Sequence, residues 1–157
     1  MDDMHVDDIV GEYQEVSLDL YDWGTRRVFY TELESAYPDG RLIVSRTDKK
    51  GIITHVNQSF IDMSGYTETE LIGAPHSILR HPDMPPAAFK DLWDTCGKGE
   101  KWQGYVKNLR KDGGYYWVKA TAIPNVRNGE VVGFTSVRRK PSRKKVEECI
   151  ALYPTLF

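Results

Sequence analysis

Three β-rich segments near the carboxy terminus, at roughly 102–110, 115–123 and 131–138, are separated by Asp112-Gly113 and Asn128-Gly129. Asp-Gly and Asn-Gly supply the positive φ angles that tight hairpins need, so these segments are expected to form consecutive antiparallel strands. Upstream, Leu42 to Thr47 and Ile52 to Val56 flank Asp48-Lys49-Lys50-Gly51, which reads as another hairpin. The stretch between the two groups lacks strand alternation and carries helix signals instead. Two strands, a cluster of short helices and three strands predict an α+β fold: one five-stranded antiparallel sheet with helices on a single face. Sheet and helices in that arrangement can enclose a small-molecule cavity.

The helix signals are specific. Asn57 is placed to cap a short helix carrying Phe60, Ile61 and Met63, which Gly65 ends. Thr67-Glu68-Thr69-Glu70 is a capping box. Asp83 is expected to cap a longer helix with Pro85 and Pro86 in its first turn and Phe89, Leu92, Trp93 and Cys96 along one face. Residues 1–40 read as an amino-terminal extension or cap. Val6, Ile9, Val10, Tyr13, Val16 and Leu20 recur there at helical spacing, and Pro38-Asp39-Gly40 ends the segment. Residues 41–140 form the domain proper. Residues 141–157 hold a linker helix capped by Ser142, whose stripe of Val146, Cys149, Ile150 and Tyr153 predicts a packing or dimer seam.

Several function classes find no support. No apolar run approaches the ~18 residues of a membrane span, and the acidic start, Met1-Asp2-Asp3-Met4, is no signal peptide, so a cytoplasmic location is expected. Cys96 and Cys149 form no metal or redox motif. The net charge of −2 divides into −9 over residues 1–40 and +7 over the remainder. The basic residues are scattered over strands and turns, so the acidic leader is expected to lie against the body, or the body to meet an acidic partner, and no nucleic acid is expected. Phosphate loops, nucleophile elbows and zinc-protease motifs are absent, so no enzyme activity is expected.

The unusual segment is Pro75-His76-Ser77-Ile78-Leu79-Arg80-His81-Pro82-Asp83-Met84-Pro85. One reading is structural: a rigid turn in which Asp83 caps the next helix and pairs with Arg80. The other is that Arg80, His76 and His81 address an anionic or polar ligand, for which the planar guanidinium is suited. Small or polar residues at Gly104, Val106 and Asn108, at Tyr116, Val118, Ala120 and Ala122, and at Gly133, Thr135 and Val137 are expected to face inward and leave room. Asn57 and Asn108 offer amides to a ring edge, and Trp93 is the aromatic residue expected beside the ring. An ordinary packed core accounts for the same pattern.

Ile52 to Phe60, Ser64-Gly65-Tyr66 and Glu70-Leu71-Ile72-Gly73 resemble the opening half of PAS domains. Pro75 to Phe89, Trp93, Val106-Lys107-Asn108 and Tyr116-Trp117-Val118 resemble the aerotaxis-receptor subgroup, with Arg-His-Pro-Asp-Met-Pro as its most specific run. The resemblance covers about residues 40–139. It implies a five-stranded sheet with short helices, non-covalent FAD, and redox signalling to a chemoreceptor signalling domain or kinase, in cis or in trans. It also implies cofactor-binding roles for Asn57, His76, Arg80, His81, Asp83, Trp93 and Asn108, and homodimers are expected. Light-sensing relatives use a cysteine over the flavin. None lies in the corresponding region here, so no photoadduct is expected. FMN is an alternative cofactor. Haem held by His76 or His81 is a rival reading, and a ligand-free interaction module is a third. The departures lie at the ends: the leader of 40 residues is longer than the family's usual cap, and the chain is expected to be either a cut piece of a larger receptor or a free sensor working in trans.

Overall fold

The computed structural model describes residues 1–20 and 23–157. Its main sheet has the strand order β4-β3-β7-β6-β5, every pair antiparallel, from β3 (Ile43–Asp48), β4 (Ile53–Val56), β5 (Trp102–Leu109), β6 (Tyr115–Arg127) and β7 (Glu130–Arg139). Helices α1 (Gln58–Ser64), α2 (Glu68–Leu71) and α3 (Pro86–Gly97), with a 3-10 turn at His76–Leu79, fill the connection between β4 and β5. This is the α+β arrangement expected from the order of turn and helix signals.

The local signals act where the sequence puts them. Asn57 accepts from the Phe60 amide at 3.1 Å, and Gly65 closes α1 at φ 77°. Thr67 and Glu70 complete both halves of the capping box. Asn128 and Gly129, at φ 53° and 79°, turn β6 into β7. Ser142 caps α4 (Arg143–Leu152).

Residues 1–40 depart from expectation. They hold a β-hairpin, β1 (Gln14–Leu20) with β2 (Gly24–Tyr30), preceded by a single 3-10 turn. Val6, Val10 and Tyr13, which suggested a helix face, are exposed. The alternation that matters runs through β2, where Arg26, Val28 and Tyr30 lie on one face with period two. Val28 is buried with Met4, Phe29 and Leu109 in a small second core. The hairpin is held to the domain by backbone bonds from Thr31 to Gly113 and between Leu33, Ser35 and Tyr115, and by Glu34 pairing with Arg143.

The core lies between the helices and the inner face of the sheet, built from Ile43, Ile53, Phe60, Leu71, Leu79, Met84, Tyr116 and Val118. On the carboxy-terminal side, Val146 is buried, Tyr153 packs against Trp117, and its hydroxyl donates to the Tyr105 carbonyl at 2.5 Å. That half of the terminal stripe packs on the chain's own sheet, while Ile150 stays exposed.

Candidate functional site

The phase of β7 decides what the inner face presents. Ala120 pairs with Arg138, Ala122 with Ser136, and Pro124 with Phe134. Since paired residues share a face, β7 presents Phe134, Ser136 and Arg138 inward, and not the expected Gly133, Thr135 and Val137. Polarity favoured Val137 inside and Arg138 outside. The register reverses this, because slipping a strand by one residue exchanges its faces. On β5 and β6 the expected inward faces are found. The room expected at Gly104 is filled: a Cβ there would overlap the ring of Trp102, whose indole donates to Asp91 at 2.8 Å.

Arg138 is the residue that pattern reading missed. It is 2% exposed and has no carboxylate partner among the described residues. One terminal nitrogen donates to the Ser45 hydroxyl at 3.2 Å and to His76 Nε2 at 2.6 Å, the guanidinium lies 5.0 Å from the Phe60 ring centre, and Nη1 has no partner. Burial lowers its pKa to about 10, a large cost for an arginine. Because Arg138 donates to Nε2, His76 is neutral with its proton on Nδ1. Burial and the adjacent guanidinium hold the His76 pKa at about 3.

Beside this pair, Asn108 and Tyr116 face each other across β5 and β6. The Asn108 amide nitrogen and the Tyr116 hydroxyl are both buried, with no well-formed hydrogen bond to any other group among the described residues, and burial pushes the tyrosine pKa up to about 12 against the opposing pull of Arg138, Arg110 and the adjacent Asn108 amide. Arg80 bridges Asn108 through its backbone and therefore shares its side. Its guanidinium lies 4.2 Å above the Phe89 ring, its Nε is unpartnered, and burial lowers its pKa. The segment at 76–81 thus crosses from the β4 side, where the His76 amide donates to the Gly51 carbonyl at 2.9 Å, to the β5 edge, where Arg80 bridges Asn108. His76, Arg80, Asn108, Tyr116 and Arg138 come together as one polar lining.

Other expected site residues lie elsewhere. His81 points to the opposite side of the segment, edge-on to Tyr30 at 5.7 Å and Tyr115 at 6.0 Å. Its Nδ1 accepts from the Asp83 amide at 3.0 Å, and burial lowers its pKa to about 3. Asp83 neither caps α3 nor pairs with Arg80. The helix begins at Pro86 with Pro85 as an unbonded cap, and the Asp83 carboxylate takes Lys107 at 2.8 Å. Burial pulls the Asp83 pKa up, but the ammonium more than offsets it and the net shift is downward. Asn57 spends its amide on the backbone, accepting from the Val44 and Phe60 amides and donating to the Leu42 carbonyl at 2.8 Å. Trp93 is 42% exposed and packs edge-on against Phe134 at 5.2 Å, near the β3–β4 turn. A buried arginine in a strand leaves no periodic trace, and only the unusual spelling Val-Arg-Arg in a central strand marked it.

Comparison with known proteins agrees with this arrangement. The PAS fold family matches residues 53–138. The chain is 44% identical over 128 residues to the aerotaxis receptor of Escherichia coli, covering 82% of this chain and 25% of that protein. It is 26% identical to the nitrogen fixation regulatory protein of Klebsiella pneumoniae, over 71% of this chain and 22% of the relative. The chain therefore spans about a quarter of the length of these relatives. Among solved structures, the light state of the blue-light photoreceptor Aureochrome1 LOV superposes with a TM-score of 0.63 at 20% identity, covering 69% of this chain and 88% of that one. A Light-Oxygen-Voltage domain studied with a flavin analogue gives 0.61 at 22%, covering 73% and 86%. With the buried polar lining between sheet and helices, these likenesses lead to one conclusion: the chain belongs to the PAS family, with a domain of the aerotaxis-receptor type.

Proposed function

We propose that this domain is a non-enzymatic sensor that holds FAD non-covalently between the inner face of β5–β7 and the segment at 76–81, and reports redox state to a signalling partner. The observation that carries this is that four of the six buried side-chain polar atoms without a partner among the described residues, Asn108 Nδ2, Tyr116 Oη, Arg138 Nη1 and Arg80 Nε, belong to this lining, the other two being Ser77 Oγ and His81 Nε2 on the segment itself. Each such atom costs roughly 1–3 kcal/mol, and four together are best explained by a ligand that satisfies them. The names of the relatives support the same reading: an aerotaxis receptor, and a LOV domain studied with a flavin analogue.

A flavin, when bound, supplies the redox chemistry and a ring edge of alternating donors and acceptors. Asn108 and Tyr116 would meet that edge as adaptable donors and acceptors. Arg138 would place fixed positive charge beside it and favour electron-rich states of the ligand. Arg80, stacked on Phe89, would meet the polar chain. His76 accepts from Arg138 and so sets where its remaining donors point. Asn57 contributes by holding β3 to α1, and His81 and Asp83 by shaping the segment, rather than by direct contact. Haem is less well served. His76 Nε2 is engaged by Arg138, and His81 faces Tyr30 and Tyr115. A ligand-free module has one observation in its favour: Arg138 already rests on Phe60, and Trp102 fills the space over Gly104. A cytoplasmic homodimer signalling to a chemoreceptor module or kinase completes the proposal. No helix among the described residues is long and apolar enough to cross a membrane.

The test is the absorbance spectrum of the purified chain, followed by titration of the stripped protein with FAD and with FMN. FAD is expected to bind more tightly than FMN. Arg138→Met and Arg80→Ala are each expected to weaken it by about tenfold or more, about 1.4 kcal/mol. A folded, colourless protein that takes up neither flavin leaves the interaction module standing.

A further inference from the structure

The hairpin strand β2 touches the pocket segment twice, on either side of Arg80. Arg26 is 4% exposed and spends its guanidinium on neutral partners: Nη1 donates to the Ile78 carbonyl at 2.9 Å, Nη2 to the Tyr66 hydroxyl at 3.2 Å, and Nε to the Asp2 carbonyl at 2.9 Å. Four residues on, Tyr30 sets its ring edge-on to His81 and is held by its cross-strand partner Gln14 at 2.8 Å. Val28, between them on the same face, is fully buried. On the far side of His81, Lys107 ties Asp83 to β5 and lies 4.2 Å over the Tyr115 ring. A charged donor given to a backbone carbonyl in a dry interface makes a strong and directional bond. The two grips fall at Ile78 and His81, and Arg80 lies between them, next to His81 and separated from Ile78 by the buried Leu79.

We propose that β2 is the clamp that positions the cofactor segment, and that Arg26 and Tyr30 are positioning residues, acting through the Ile78 carbonyl and the His81 ring to set Arg80 against Asn108. The amino-terminal hairpin is then part of the cofactor site, and any partner that shifts the hairpin changes how Arg80 is presented. This rests on the reading of the pocket as a flavin site, but the clamp has a consequence that needs no ligand.

The test uses the full chain with Arg26→Met, which keeps bulk and removes the donors, and Tyr30→Leu, which removes the ring edge and keeps apolar contact. In the stripped protein, amide hydrogen exchange across residues 77–82 is expected to rise about tenfold or more in each variant, with β6 and β7 unchanged. With FAD added, dissociation followed by the return of free-flavin fluorescence is expected to quicken, and the visible circular dichroism of the still-bound flavin to change. Arg26→Lys, which can reach one carbonyl, is expected to restore part of both effects. Should Arg26→Met not fold, Tyr30→Leu carries the test alone. Unchanged exchange at 77–82, or a rise spread evenly over the whole sheet, overturns the clamp. Raised exchange at 77–82 in a chain that binds no FAD upholds the clamp and removes the flavin reading instead.

Discussion

Acidification should destabilise the ligand-free chain well above the pH at which carboxylates titrate, and His76 sets the magnitude. Its Nε2 accepts from Arg138 at 2.6 Å, so a second proton would place a cation in contact with the buried guanidinium. Its folded pKa is about 3, against an ordinary value of 6.5. Below pH 6.5 the unfolded chain therefore binds a proton that the folded chain refuses. The stabilisation is complete above pH 6.5 and is lost progressively as pH falls toward 3. At about 1.36 kcal/mol per pH unit, the fall from 6.5 to 5 costs about 2 kcal/mol. His81 is depressed in the same direction, although the nearby Asp83 carboxylate eases its protonation. Together they give a loss of roughly 2–4 kcal/mol, a large part of the stability of a typical domain. The lowered carboxylates, Asp39, Glu70 and Asp83, release their contribution at more acidic pH and leave this window to the histidines. The assay is urea unfolding of cofactor-stripped protein at pH 7 and pH 5, where the midpoint should fall by about 1 M or more. In His76→Gln, which keeps an acceptor for Arg138 without titrating, roughly half of the fall should disappear. An unchanged wild-type midpoint, or an undiminished fall in His76→Gln, would refute the placement of a neutral histidine against Arg138.

Other outcomes follow from the same contacts. Asn57→Ala removes a helix cap, one bond to the β3 backbone at Val44 and one to the Leu42 carbonyl just before the strand, so a loss of about 2 kcal/mol and a melting temperature lower by roughly 4–8 °C are expected by calorimetry. Tyr153→Phe deletes the bond to the Tyr105 carbonyl and is expected to raise amide exchange in α4 while costing about 1 kcal/mol in urea unfolding. Gly104→Ala forces a methyl into the Trp102 ring and should cost about 1–3 kcal/mol, with a changed tryptophan emission spectrum.

Features set by a few neighbouring residues were readable from the chain alone. Asn128-Gly129 turns where it does because both residues accept positive φ. Thr67 and Glu70 cap each other because they stand three apart. The order of such signals was enough for the α+β sheet, and the resemblance of the segment at 75–89 was enough for the family. The amino-terminal hairpin was missed because its apolar residues are sparse and fit either period. What favours β1 and β2 is burial of Val28 and Phe29 against Leu109, a residue 81 positions beyond Val28.

The site divides in the same way. Arg80 and Asn108 were named from the sequence and meet in the fold, since the segment that carries Arg80 pairs with the edge of β5. The side chain of His81 follows Arg80 by one position and so faces the other way, toward Tyr30. Asp83 was assigned to a helix cap by its local spacing and was taken by Lys107, 24 residues downstream. Polarity patterns pass over Arg138 because they assume that charge faces water. Its direction is fixed by the register of a central strand between β3 and β6, and its burial is tolerated through Ser45 and His76 from distant elements. Turns and caps depend on dihedral preferences and bonds within three or four residues, which the sequence contains. Which face of β7 lines the pocket depends on pairing across the sheet, which only the assembled tertiary structure decides.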